Sequence, residues 1–165
     1  MNDAVDRARE DRNLLERLVA RIPGFAGYQD RELRREVDQR LRRELAGRLD
    51  EARSRLSGHL RTLSLADAVL VGRLDGVLKD LDRVANTLRH AGSGYAGLFD
   101  AVKIRDEQLT ALYTYDLALL DEVEAVEASV AEVVQGAGSA EELERRVAAA
   151  GARVSGRTAA LKSVL

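Results

Sequence analysis

The sequence predicts an all-α fold, an elongated antiparallel bundle of four to five helices with coiled-coil-like packing. An apolar residue recurs every three or four positions through most of the 165 residues, which is the spacing of one helix face. Charged residues make up 33% and aromatic residues 4%, with a single Pro, a balance typical of helical bundles. The length suits one domain spanning 1–165.

The first helix is predicted over 3–22. Pro23 and Gly24 end it, because Pro cannot continue the hydrogen-bond ladder and Gly supplies turn dihedral angles. The connector that follows carries Phe25 and Tyr28, two of only six Phe and Tyr residues in the chain. We expect both rings to close one end of the bundle.

The second and third helices are predicted over 30–63 and 65–91. The second has an apolar ladder at Leu33, Val37, Leu41, Leu45, Leu49, Ala52, Leu56, Leu60 and Leu63. The segment 64–67 (SLAD) resembles a capping box and begins the third helix, whose apolar stripe alternates steps of four and three. This turn does not exclude the alternative that the second and third helices are one kinked helix.

The fourth and fifth helices are predicted over 106–135 and 140–164. A Gly-Ser-Gly segment at 92–94 ends the third helix, and Gly-Ala-Gly at 136–138 ends the fourth. The segment 139–142 (SAEE) is a capping box that opens the fifth helix.

Charge is distributed unevenly between the second and fourth helices. The segment 28–63 holds ten Arg against seven acidic residues, whereas 105–134 holds one Arg against eight. Although each exposed ion pair contributes only about 0 to 1 kcal/mol, this asymmetry predicts that the second helix lies beside the fourth.

Composition excludes several classes of function. The 26 basic and 28 acidic residues nearly cancel, so no net field favours nucleic acid. The absence of Cys excludes disulfides, thiolate nucleophiles and Cys-ligated metals. The charged N-terminal segment is unlike a secretory signal, and no apolar run approaches about 18 residues. We therefore expect a cytoplasmic protein.

Chemical motifs are weak in this sequence. The segment 92–97 (GSGYAG) matches G-x-G-x-x-G, but it follows a heptad helix rather than a strand, so we interpret it as a helix stop. His59 and His90 lie on different predicted helices, and the Glu-x-x-His pattern of di-iron bundles is absent. No G-x-S-x-G elbow is present. We assign no catalytic residue, cofactor or metal.

Asp116 is the most informative polar residue, since it interrupts the apolar stripe of the fourth helix between Leu112 and Leu119. A carboxylate at such a position needs partners. It is either a structural salt bridge or Tyr hydrogen bond, or a polar anchor that fixes register or receives a partner's Arg. With the aromatic connectors it defines a candidate interaction patch at one end of the bundle: Phe25, Tyr28, Tyr95, Phe99, Asp100, Tyr113 and Asp116.

Two stretches resemble a family of bacterial all-helical proteins for which no activity is known. They are 22–28 (IPGFAGY) and 94–104 (GYAGLFDAVKI), the latter running into 113–120. The resemblance implies that a family-specific role would involve these connectors and the Asp116 region rather than the long helix faces.

The function that the sequence favours is a non-enzymatic protein-protein interaction or scaffold protein that self-associates through apolar surface left uncovered by a slender bundle. One alternative is a peripheral membrane or stress-response coat protein, although the first helix lacks bulky apolar anchors. A second alternative is a small-ligand-binding protein or enzyme with a pocket near the 92–116 corner.

Overall fold

The fold is an all-α bundle, as the sequence predicts. The structure, a computed structural model, describes residues 2–28, 30, 33–64, 67–91 and 106–164. Those residues form five helices and no strand: α1 (Asn2–Arg21), α2 (Arg34–Leu60), α3 (Ala68–His90), α4 (Asp106–Val134) and α5 (Ala140–Val164). The predicted helix ends differ from these by up to four residues, most at the start of α2.

Helices α2 and α3 are two separate helices rather than one kinked helix. After α2 the amide of Thr62 donates to the carbonyl of His59 at 2.9 Å, a tightened last turn that ends the α-helical ladder. The amide of Asp67 then donates to the carbonyl of Ser64 at 3.1 Å, just before α3 begins. Asp67 is the N-cap residue of α3 and its side chain makes no capping hydrogen bond. Residues 65 and 66 of the predicted capping box lie outside the described residues.

Four helices form a ring, in which α2 packs against α3 and α4, and α5 packs against the same two helices. Helix α1 packs on the outer side of α4. The consecutive pairs α2/α3 and α4/α5 run antiparallel, whereas α3 and α5 run parallel. Arg73 of α3 pairs with Glu141 at the start of α5, and further along both helices Val84 lies beside Gly151.

The core consists of the apolar stripes that the sequence periodicity identifies. Helix α2 buries six ladder residues: Val37, Leu41, Leu45, Leu49, Ala52 and Leu56. Helix α3 buries Leu74, Val77, Leu81, Val84 and Leu88 from its alternating stripe. Each fully buried Leu contributes about 1.5–3 kcal/mol, so these stripes are the main driving force of folding. Leu33, in contrast, precedes α2 and is exposed.

Helix α2 lies beside α4, the pairing that the charge asymmetry predicts. Arg48 of α2 places Nη1 3.3 Å from Oε1 of Glu124 and 3.9 Å from Oε2 of Glu127. Arg21, at the end of α1, donates from Nη2 to Glu124 at 2.7 Å and to Asp121 at 2.6 Å. Guanidinium groups from two helices therefore neutralise part of the acidic face of α4.

The turn from α4 to α5 depends on two glycines. Gly136 has φ of +75°, a left-handed conformation that closes the end of α4. Gly138 lies so close to α4 that a Cβ there would be 2.8 Å from Cβ of Glu132. Ser139 then accepts a hydrogen bond on Oγ from the amide of Glu142 at 3.1 Å, which caps α5 as the sequence predicts.

Gly138→Ala and Gly47→Ala should therefore change stability in opposite directions. At Gly138 the new methyl group collides with α4 backbone, and we expect a loss of about 1–3 kcal/mol. Gly47 lies inside α2 with nothing within 4 Å of its added Cβ, so alanine should stabilise the protein by about 0.8–1 kcal/mol. Urea unfolding followed by circular dichroism measures both changes in the free energy of unfolding. If both variants were more stable than wild type, or both less stable, this description of the turn would be wrong.

Candidate functional site

A cluster of buried charged side chains lies at the end of the bundle where α2 begins and α5 ends. Asp38 and Arg42 come from α2, Asp116 from α4 and Arg157 from α5, and none is more than 4% exposed. Tyr28 of the α1–α2 connector joins them and is also fully buried. We call these five residues the buried network.

Arg157 is the centre of the buried network. Its Nε donates to Oδ1 of Asp116 at 3.0 Å and its Nη2 to Oδ2 of the same carboxylate at 3.2 Å. Its Nη1 donates to Oδ1 of Asp38 at 2.6 Å. A bidentate guanidinium-carboxylate pair is strongly directional, so α5 is held in one register against both α4 and α2.

Arg42 extends the buried network to the end of α3. Its Nε donates to Oδ2 of Asp38 at 2.8 Å, one helical turn away. Its Nη1 donates to the carbonyl oxygen of Leu88 at 3.2 Å. Carbonyl groups at a helix C-terminus lack helical partners and carry partial negative charge, so the guanidinium satisfies one of them. The buried network contains two guanidinium groups and two carboxyl groups.

Tyr28 ties the connector to the buried network through both its side chain and its backbone. The hydroxyl group donates to Oδ2 of Asp116 at 2.6 Å, and the backbone amide donates to the hydroxyl oxygen of Tyr113 at 2.9 Å. The Tyr28 ring stacks on that of Tyr113 at 5.7 Å and meets the edge of Phe25 at 5.5 Å. Nε of Arg34 donates to the carbonyl of Tyr28 at 2.6 Å.

Burial and neighbouring charge shift the pKa values of this cluster. Burial raises the pKa of Asp116, against the opposing effects of Arg157 and Tyr28. Burial acts to lower the pKa of Arg157, but Asp116 and Asp38 outweigh it, so that pKa is raised well above its ordinary value. Burial, followed by the charge of Asp116, raises the pKa of Tyr28 well above its ordinary value. The phenol therefore remains a neutral donor.

Of the predicted patch, the structure brings together the four residues it describes, namely Phe25, Tyr28, Tyr113 and Asp116. All four are at most 3% exposed, so they form an internal cluster that a partner does not reach while the bundle is closed. Tyr95, Phe99 and Asp100 lie outside the described residues, as does the 92–97 segment.

Asp116 makes both of the structural interactions that the sequence left open, a salt bridge and a Tyr hydrogen bond. The Arg that it binds is Arg157 of the same chain. Sequence reasoning missed that partner, although the pattern holds a signal for it. Arg157 stands three residues after Val154 and four before Leu161, so it interrupts the stripe of α5 as Asp116 interrupts that of α4.

No residue of the buried network lines any of three surface clefts in the described part of the chain that have volumes of about 340 to 650 Å³. Among the described residues, no three His, Cys, Asp or Glu side chains are grouped so that they could hold a metal ion. None of the described helices is long and apolar enough to cross a membrane. The buried network is therefore arranged as a structural contact that holds the helices together.

The fold and the site thus define an all-α bundle whose helices are joined at one end by buried ion pairs. Comparison of the chain with family models, curated proteins and solved structures finds no match.

Removing Arg157 should destabilise the protein far more than removing an exposed ion pair. Arg157→Leu leaves the carboxyl groups of Asp116 and Asp38 buried without their shared cation, at an expected cost of about 3–5 kcal/mol. Arg83→Ala, which breaks the exposed pair with Asp80, should cost about 0–1 kcal/mol. Urea unfolding at pH 7 tests both, and similar losses for the two variants would contradict a tightly coupled cluster.

The raised pKa of Tyr28 makes stability depend on alkaline pH. Above about pH 10 the unfolded chain releases the phenol proton that the folded chain retains, so unfolding is favoured as pH rises. The stability difference between wild type and Tyr28→Phe should therefore narrow by about 1.4 kcal/mol per pH unit above pH 10. Urea unfolding at pH 8, 10 and 11 measures this difference in the free energy of unfolding. The difference would stay constant if the phenol ionised equally in the folded and the unfolded chain.

Proposed function

We propose that this protein is a non-enzymatic interaction or scaffold protein that associates with itself. The observation that carries the proposal is the exposure of Val69 in the first turn of α3. At 78% it is the most exposed large apolar side chain in the described part of the chain. Association would remove this surface from water.

The surroundings of Val69 support a contact surface rather than an isolated exposed residue. Val69 lines a cleft of about 650 Å³ between the first turns of α3 and α5, together with Ala68, Leu70 and Ala140. Leu70, and Leu63 in the turn before α3, are only partly buried. We call the residues that line this cleft the α3 tip: Asp67, Ala68, Val69, Leu70, Arg73, Ser139, Ala140 and Glu141. Val69, the exposed Ala68 and the partly buried Leu70 thus form a small apolar surface at this end of the bundle.

The buried network supports the same proposal indirectly. It locks the end of the bundle opposite the α3 tip, where α2 begins and α3 ends. A surface presented by a rigid body needs little ordering when a partner binds, which favours association. The nearly balanced charge of the chain favours a protein partner over nucleic acid. The absence of Cys supports placing this activity in the cytoplasm.

Val69→Glu should weaken self-association. Burying a Val side chain in an interface contributes about 1.5–3 kcal/mol, so its loss corresponds to roughly a 10- to 100-fold weaker association. Light scattering coupled to size exclusion, over a tenfold concentration range, measures the mass of both proteins. We expect the wild-type mass to rise above that of one chain and the variant mass to rise less.

Ala149→Glu is the matched control, since it places the same carboxyl group at an exposed position of α5 away from the α3 tip. It should associate as the wild type does. Thermal unfolding of the three proteins shows whether any change in mass reflects a change in folding. If the wild-type protein has the mass of one chain at every concentration, the proposed self-association is wrong.

A further inference from the structure

The charges around the α3 tip are predominantly acidic. Arg73 donates from Nη1 to Oε1 of Glu141 at 2.7 Å, and the charge of Glu144 also acts on Arg73. Asp67 and Glu144 take part in no ion pair among the described residues. Among these groups one cation thus stands against three carboxylates, while the neighbouring Arg145 and Arg146 are both engaged with Glu142. A second α3 tip, carrying the same charges, would be repelled from this surface.

A second cleft of the same chain has the opposite character. It has a volume of about 590 Å³ and lies between Pro23 of the connector and the outer face of α2. Its lining also includes Glu36, Gln39, Arg40, Arg43 and Glu44, and we call these six residues the α2 cleft. Its lining is mainly polar, and Pro23 with the aliphatic stems of the two Arg side chains supplies the smaller apolar part against which a Val side chain can pack.

The guanidinium groups of the α2 cleft are available for a partner. Arg40 and Arg43 are exposed, and among the described residues neither takes part in an ion pair. Arg43 donates only to Oε1 of Gln39, at 2.9 Å, and Glu44 is engaged with Arg48 at 3.3 Å. That pairing leaves two cations against the single carboxylate of Glu36. The α2 cleft is therefore basic where the α3 tip is acidic.

The position of Arg40 is set by the connector. Gly24 has φ of +71°, and the Arg40 side chain occupies the space that a Cβ at this glycine would need. The Arg40 atoms nearest to Gly24 are Nη1 and Cζ, so the guanidinium group itself lies against the connector at the edge of the cleft. A preorganised cation loses less entropy on binding a carboxylate than a free surface Arg does.

We propose that the α3 tip of one chain docks into the α2 cleft of a second copy. Val69 enters the cleft beside Pro23, while Asp67 and Glu144 pair with Arg40 and Arg43. This inference rests on the proposed self-association and specifies its geometry. The two surfaces do not share a residue and are separated by roughly 30 Å along α2, so each chain can use both at once. Contacts of this head-to-tail kind generate open chains or rings rather than a closed two-fold dimer.

Two variants that each block one surface test the geometry. Val69→Asn disables the α3 tip by removing its apolar contact without adding a charge that Arg40 or Arg43 could bind, and the double variant Arg40→Glu/Arg43→Glu disables the α2 cleft. Each should remain a single chain in light scattering at a concentration at which wild type assembles. An equimolar mixture should form a species of twice the mass of one chain and no larger, because each variant retains the surface that the other lacks.

Arg9→Glu/Arg12→Glu is the matched control, because it makes the same change in net charge at two exposed positions of α1. It should assemble as wild type does, and raising the salt concentration should weaken wild-type assembly as ion pairs are screened. Circular dichroism melting of every variant identifies any that fails to fold. If the α2 double variant does not fold, Arg43→Glu alone takes its place in the mixture.

The outcomes separate this inference from the proposed function. Unaffected assembly of the α2 double variant, or a mixture that contains only single chains, would overturn head-to-tail docking. A closed wild-type dimer that Val69→Asn abolishes and the α2 double variant does not would overturn it too, while the proposed self-association stands. A wild-type protein that stays a single chain would remove both.

Discussion

The structure depends on the contact of one guanidinium group, that of Arg157, with two carboxyl groups. Asp116 and Asp38 belong to different helices, and without Arg157 their burial would be strongly unfavourable. Apolar stripes alone specify that helices pack, but they tolerate sliding by a turn because every turn presents similar side chains. Directional hydrogen bonds from one cation to two helices remove that freedom, since only one register satisfies them all.

The same contact explains the path of residues 22–28, the described first part of the connector between α1 and α2. Tyr28 donates to the carboxylate that Arg157 binds, and its backbone is held by Tyr113 and Arg34. Ordering a loop costs about 1–2 kcal/mol per residue in backbone entropy, which exposed connectors rarely recover. Here the aromatic packing and the hydrogen bonds of Tyr28 offset part of that cost.

The sequence predicts the helices of this protein better than it predicts the site. Apolar periodicity identifies the buried faces of α2 and α3, because a spacing near 3.6 residues depends on nothing outside each helix. Charge asymmetry indicates that α2 lies beside α4, and an acid in an apolar stripe singles out Asp116. The partner of Asp116 is harder to predict, because Arg157 lies 41 residues further along the sequence and is one of 26 basic residues. The parallel packing of α3 on α5 is likewise a tertiary property, which no local pattern encodes.

The two ends of the bundle differ in where their polar and apolar groups lie. At the end with the buried network, charged groups lie inside and are satisfied within the chain. At the α3 tip the reverse holds, since Val69 is exposed while Asp67 has no ion-pair partner among the described residues. The two ends therefore have opposite properties, with charges satisfied inside the bundle at one end and an apolar side chain exposed at the other. It is this exposed side chain, and not the buried network, on which the proposed self-association rests.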